Sequence, residues 1–150
     1  MRIRSISLFA LALAFLSLTL STAHAADVKA CDALSAPVAT SFIGAPLKGP
    51  IDAQGFGCSY GSSGGAIALV IADAGGLTAD DFSMSMRAYA ESEKIPGLGD
   101  AGFWVKAGPN SYGLMVLYHH KTVRFKVDKK MTPELKTQMI DAMKQMLTKI

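Results

Sequence analysis

Cysteine, histidine and surplus charge are all scarce in this chain of 150 residues, and each scarcity closes off a class of function. Cysteine occurs twice, as Cys31 and Cys58, with no C-x-x-C pair of the redox or zinc type. Histidine occurs three times, and His24 lies in an amino-terminal leader. The other two, His119 and His120, are adjacent. Neighbouring strand residues point to opposite faces, and no further His or Cys stands beside them, so no metal site is expected. No lysine follows a glycine cluster in Walker A order, and no cofactor is implied. The formal charge of +3 includes Arg2 and Arg4 of the leader, so the remainder stands at +1. Near neutrality gives no global electrostatic case for nucleic acid.

What is present at the start is a leader. Arg2 and Arg4 form a positive region, Ile6 to Leu20 is almost continuously apolar, and Ala23-His24-Ala25 is an A-x-A cleavage site. The apolar run falls short of the roughly 20 residues that span a bilayer. Residues 1–25 therefore read as a signal peptide cleaved after Ala25. Residues 26–150 read as a single secreted or periplasmic α+β domain with no membrane span after cleavage. Val28-Lys29-Ala30 ahead of Cys31 lacks the small and apolar residues of a lipobox, and no twin-Arg pair is present. The remaining length, about 125 residues, supports one domain with a real core. It is too short for a dinucleotide enzyme with a substrate domain, or for a (β/α)₈ barrel.

An even cysteine count in an oxidising compartment favours pairing, and two cysteines allow one connectivity. Neither has a neighbouring His that would activate a free thiol. A Cys31–Cys58 bridge restrains the unfolded chain by about 3–4 kcal/mol in the loop-entropy model.

Ala26 to Ala30 reads as a loose lead-in. Ser35 to Ile43 is the first helix, with Ser35 as N-cap, Pro37 in its first turn and Gly44 at its end. Ala45 to Ala53, with Pro46, Gly49 and Pro50, reads as a loop. Gln54 to Tyr60 is a strand with Phe56, Cys58 and Tyr60 inward. After the turn Gly61–Gly65, Ala66 to Ala72 is a second strand. Its Ile67, Leu69 and Ile71 fill one face, and Ala66, Ala68 and Ala72 leave the other smooth enough for a helix. Thr78 to Glu93 is an amphipathic helix, capped by Thr78 and Asp81, with Phe82, Met86 and Tyr89 as its stripe. Phe103 to Lys106 is a strand. Tyr112 to His119 and Thr122 to Asp128 form a hairpin with Val123, Phe125 and Val127 inward. Thr132 caps a final helix whose buried stripe is Leu135, Met139, Met143, Met146 and Ile150. The order α-β-β-α-β-β-β-α predicts an α+β fold: one mostly antiparallel five-stranded sheet, three helices packed on it, and one disulfide.

Four features together resemble a group of bacterial exported proteins and lipoproteins of unknown function. These are Cys31 at a helix start, Gly57-Cys58-Ser59-Tyr60, Ile95-Pro96-Gly97-Leu98-Gly99-Asp100-Ala101, and a strand bearing Trp104. The layout is similar to PsbP/Mog1-like domains and to the extracellular sensor domain of some bacterial Ser/Thr kinases. The resemblance implies the Cys31–Cys58 disulfide and an α/β sandwich, and it brings no catalytic residue. This chain lacks the lipidated cysteine of the lipoprotein members.

Several motifs invite chemistry. Gly57-Cys58-Ser59-Tyr60-Gly61 matches G-x-S-x-G, and Asp100 and His119 or His120 follow in Ser-Asp-His order. That chemistry needs a strand-to-helix turn, whereas a strand follows here. Gly97 to Gly102 matches G-x-G-x-x-G, but a helix precedes it and a strand follows, the reverse of a dinucleotide site. Met139, Met143 and Met146 keep core spacing rather than the clustering of a copper site. His119, His120, Lys121, Arg124 and Lys126, with Lys129 and Lys130 beyond them, form a basic patch suited to an envelope protein or an anionic ligand. Trp104 and Tyr112 are candidates for a groove. The function expected is a non-enzymatic exported domain that binds a partner or small ligand in the cell envelope. The alternative is a small serine hydrolase using Ser59.

Overall fold

Alternation decides the sheet. In Lys121–Asp128, Val123, Phe125 and Val127 are fully buried while Arg124 and Lys126 are exposed, the period-two signature of a strand with one dry face. The computed structural model describes residues 28–150, so the signal-peptide reading of residues 1–25 lies outside the described residues. Seven strands form one antiparallel sheet: β1 (Lys48–Ala53), β2 (Gly57–Ser62), β3 (Gly65–Asp73), β4 (Ser92–Lys94), β5 (Ala101–Gly108), β6 (Ser111–Tyr118) and β7 (Lys121–Asp128). Their spatial order is β1-β2-β3-β7-β6-β5-β4. The β3–β7 pairing, from Ala66 opposite Asp128 to Asp73 opposite Lys121, joins the early hairpin to the late one. The helices are α1 (Ala30–Ala33), α2 (Ala36–Ile43), α3 (Ala79–Met86) and α4 (Pro133–Leu147).

The two faces of the sheet carry separate cores. On one face Ile67, Leu69, Leu114, Val116, Val123 and Phe125 lie beneath α1, α2 and α4. Phe42 of α2 meets Phe125 edge-on with ring centroids 5.5 Å apart. The α4 stripe of Leu135, Met139, Met143 and Met146 is buried, and Ile150 packs against it half-exposed. Thr132 caps α4 by accepting from the Leu135 amide at 3.2 Å. On the opposite face α3 lays Phe82 and Met86 over Phe103, Val105 and Met115, with the Phe82 and Phe103 rings 6.0 Å apart.

The sequence pattern predicts five strands and three helices; among the described residues there are seven and four. For β1, the residues Pro46, Gly49 and Pro50 predict a loop. It is an edge strand, exposed at every position, and an edge tolerates a proline that cannot donate to the ladder. The register shifts between Lys48 and Ile51 to pass Pro50. At the other edge the sequence pattern predicts a helix from Thr78 to Glu93. The helix α3 stops at Met86, and Ser92–Lys94 pairs with Phe103–Val105. A proline-broken strand and a three-residue charged strand discourage further pairing at the two edges. The additional helix is the short α1, which begins at Ala30, the last residue of the expected lead-in, and is held by the Ala30 amide donating to Gly55 O at 2.7 Å. Alternation predicts Phe56 inward on β2, but it lies in the preceding turn and is 55% exposed. The turn is closed by the Gly55 amide donating to Asp52 Oδ1 and the Phe56 amide to Ala53 O. Cys58 and Tyr60 keep the inward phase. The smooth side of β3 is not under a helix: Val70 there is 40% exposed. The helix α3 instead covers β5, where Phe103 and Val105 offer more apolar surface than alanines do.

The bridge between Cys31 and Cys58 is present, with Cα atoms 5.0 Å apart, and fastens α1 to β2. Replacing both cysteines by serine is expected to lower unfolding free energy by about 3–4 kcal/mol in urea titrations; an unchanged midpoint would contradict this. A second prediction concerns the α3 cap. The Thr78 hydroxyl donates to Asp81 Oδ2 at 2.6 Å and the Thr78 amide reinforces it, which holds the Asp81 carboxyl below its ordinary value. A depressed carboxyl contributes stability above its unfolded-state pKa and loses it as pH falls through the lower folded value. In Thr78→Ala the Asp81 titration should move back up toward the ordinary carboxylate range; an NMR titration that leaves it in place would contradict the capping account.

Candidate functional site

Four segments distant in sequence meet at one end of the sheet. The Ala30 amide donates to Gly55 O at 2.7 Å, which brings Val28 and Lys29 beside the β1–β2 turn. The Ile71 amide donates to Phe56 O at 2.8 Å, which ties that turn to the end of β3. The Ala74 amide donates to His120 O at 2.7 Å, which brings in the β6–β7 turn. Between them lies a cleft of about 660 Å³, a volume ordinary for a small-molecule site. Val28, Ile71 and Ala72 supply apolar lining, Phe56 lines it while half-exposed to solvent, and Lys29, Asp73, His119, His120 and Lys121 supply polar groups.

The β6–β7 turn is the unusual wall. His119 and His120 have φ of 46° and 62°, both in the left-handed region. A two-residue hairpin needs this backbone, and sequences ordinarily supply Asn-Gly for it. Side chains with a Cβ are strained there, so the surroundings must hold the turn. Asp100 does so. Its Oδ2 accepts from the His119 amide at 2.9 Å, while its own amide donates to Leu117 O at 2.8 Å. The loop carrying Asp100 is itself anchored, because Leu98 is 1% exposed in the core. Gly99 has φ of 63°, and a Cβ there would fall 2.6 Å from Leu117 O, so only glycine lets the loop lie this close to β6. The His119 ring stacks on Tyr118 with centroids 4.0 Å apart.

The other residues singled out in the sequence fall as follows. Asp100 and His119 meet, but through the His119 backbone rather than its imidazole. Ser59 pairs with Ala68 on the opposite face from Cys58. Along the extended chain Ala68 stands about 20 Å from Ala74, the residue that touches the histidine turn. Ser59, Asp100 and the histidines therefore do not form one constellation. The glycine motif Gly97–Gly102 runs between β4 and β5, so a strand precedes it rather than the expected helix, and no helix follows. The basic patch divides. His119, His120 and Lys121 line the cleft, whereas Arg124 and Lys126 lie on the exposed side of β7, and Lys126 pairs with Asp128 at 3.0 Å. Lys129 donates to Phe42 O at 2.9 Å. Trp104 and Tyr112 stack with centroids 5.8 Å apart, and the Lys136 ammonium lies over the Trp104 ring. Trp104 is 8% exposed, which makes it core rather than an open groove wall.

Sequence reasoning missed Phe56, Lys29 and Ile71 as neighbours of the histidines. One signal was available: a Cys31–Cys58 bridge necessarily draws Lys29 toward the start of β2. Among the described residues no three His, Cys, Asp or Glu side chains gather as a metal would require, and no helix is long and apolar enough to cross a membrane. The chain matches no family model, no curated protein and no solved structure.

Asp100→Ala is expected to lower stability by about 1 kcal/mol, the scale of one exposed hydrogen bond to a charged acceptor. The His119 amide should exchange with solvent faster in that variant. Unaltered exchange at His119 would show that the carboxylate does not hold the turn.

Proposed function

We propose that this chain is a non-enzymatic binding domain of the bacterial cell envelope, exported by its leader and carrying a small ligand in the cleft at the end of the sheet. The observation that carries the reading is the composition of that cleft: an exposed aromatic residue, apolar residues, and basic and imidazole residues on a braced turn. Small-molecule sites combine an apolar surface with a few convergent polar groups in this way. The disulfide supports an oxidising compartment, and the resemblance to exported bacterial domains points to the same location. The separation of Ser59 from the histidine turn weighs against the hydrolase alternative.

Amide shifts of the nitrogen-15-labelled, oxidised protein, followed against a library of small fragments, test the proposal. Binders should move resonances of Lys29, Phe56, Ile71, His119 and His120 as one group. Hits that cluster elsewhere, or no hits at all, would overturn the cleft reading. Stoichiometric labelling of Ser59 by a fluorophosphonate would overturn the non-enzymatic reading.

A further inference from the structure

Resting on the cleft reading, we propose that Gln54 and His120 are its ligand-contacting residues, and that the ligand is a small uncharged molecule with an amide or lactam edge, a hydrogen-bond donor beside an acceptor. The first observation is where the backbone is strained. Among the described residues only Gln54, His119 and His120 have positive φ without being glycine, at 53°, 46° and 62°. Every other residue with positive φ, from Gly44 to Gly99, is a glycine. Glycine adopts this backbone at no steric cost, whereas a residue with a Cβ is held there against strain. All three exceptions line the same cleft, and they reach it from two separate turns, β1–β2 and β6–β7. The hairpin turns at the opposite end of the sheet, β2–β3 and β5–β6, contain no such residue. Strain of this kind gathers at functional sites, where a side chain that the local backbone disfavours is kept for another task.

The second observation is that two of these side chains give the fold nothing visible. His119 is accounted for, since its ring stacks on Tyr118 and its amide donates to Asp100. Gln54 and His120 are exposed, and neither side chain has a hydrogen bond, ion pair or ring contact with a described residue. At position 120 the fold uses only the backbone carbonyl, which accepts from the Ala74 amide at 2.7 Å. A glycine there would suit the two-residue hairpin better. Packing and hydrogen bonding within the domain therefore explain neither the carboxamide nor the imidazole.

The chemistry of the pair sets the ligand class. A carboxamide carries a donor and an acceptor side by side, and an imidazole in its neutral form carries one of each across its ring. A glutamine side chain recognises a matching donor–acceptor edge through two parallel hydrogen bonds, as it does on adenine. Val28, Ile71 and Ala72 supply apolar lining for the body of such a molecule.

NMR shift titrations of the oxidised protein with 2-pyridone and N-methyl-2-pyridone test this, because the methyl group removes the donor and keeps the acceptor. 2-Pyridone should move the amides of Gln54, Gly55, Ile71 and His120 together, with a Kd in the millimolar range of a small fragment. N-Methyl-2-pyridone should bind about fivefold more weakly, the scale of one hydrogen bond. Gln54→Ala removes the carboxamide and leaves the backbone as strained as before; it should weaken 2-pyridone about fivefold. His120→Gly should weaken it by a similar factor. The same variant should raise the folding equilibrium constant about threefold in urea titrations, because the strain relieved exceeds the entropy that glycine adds to the unfolded chain. Both positions are exposed and lie in turns, so the variants fold. Equal affinity for the two pyridones would overturn the ligand class. Unchanged 2-pyridone binding in Gln54→Ala and His120→Gly would overturn the contact assignment, and a destabilised His120→Gly would show that the fold itself needs the imidazole. Each of these results leaves the cleft standing as a site, whereas fragments of every class avoiding it would remove the site and this inference together.

Discussion

One covalent closure fastens the amino-terminal segment of this domain to the sheet. The helix α1 is only four residues long, too short to persist alone in water. The bridge from Cys31 to Cys58, the Ala30 to Gly55 hydrogen bond and the burial of Ala30, Ala33 and Leu34 together place it on β2. That placement has a functional consequence. Val28 and Lys29 become one wall of the cleft, and the β1–β2 turn that carries Phe56 is clamped between α1 and β3. The same closure that stabilises the fold therefore assembles half of the proposed site.

The other half depends on the Pro-Gly-Leu-Gly-Asp loop. Glycines with left-handed backbone let it lie against β6, Leu98 plugs it into the core, and Asp100 braces the strained His119-His120 turn. These residues suggested catalysis or cofactor binding by motif, and the fold uses them as structural supports. The arrangement is economical: β3–β7 pairing and packed helices make a rigid scaffold, while the variable chemistry sits in turns at one end. The two cores divide this labour. The larger one, beneath α1, α2 and α4, adjoins the cleft through Ile71, and the smaller one under α3 closes the far half of the opposite face.

Much of the fold was legible in the sequence because local chemistry and tertiary packing agree there. Val123, Phe125 and Val127 alternate cleanly, Thr132 and Pro133 start α4 where a cap should, and the methionine stripe of α4 falls inward. The Thr78–Asp81 pair likewise marks the start of α3. The misreadings share a physical cause. Pro50 argues against a strand in the middle of a sheet but not at its edge, and Ser92–Lys94 carries no apolar alternation because Ser92, Glu93 and Lys94 are all polar and exposed. Phe56 fits the alternation of β2 by spacing, yet the turn before Gly57 breaks the phase by holding its backbone to Ala53. The cleft was hardest to foresee. It arises from non-local contacts, Ala74 with His120 and Ala30 with Gly55, for which periodicity holds no signal. Only the cysteine pair hinted that Lys29 and the start of β2 are neighbours.

The most direct test of this account is amide hydrogen exchange of the oxidised protein compared with the same protein under mild reduction. If the Cys31–Cys58 bridge builds the amino-terminal wall, reduction should strip protection from Ala30 and Ile71, the two amides that clamp the Phe56 turn. The paired amides of β6 and β7 should stay protected. Protection that persists at Ala30 after reduction, or that vanishes first from β6 and β7, would contradict the account.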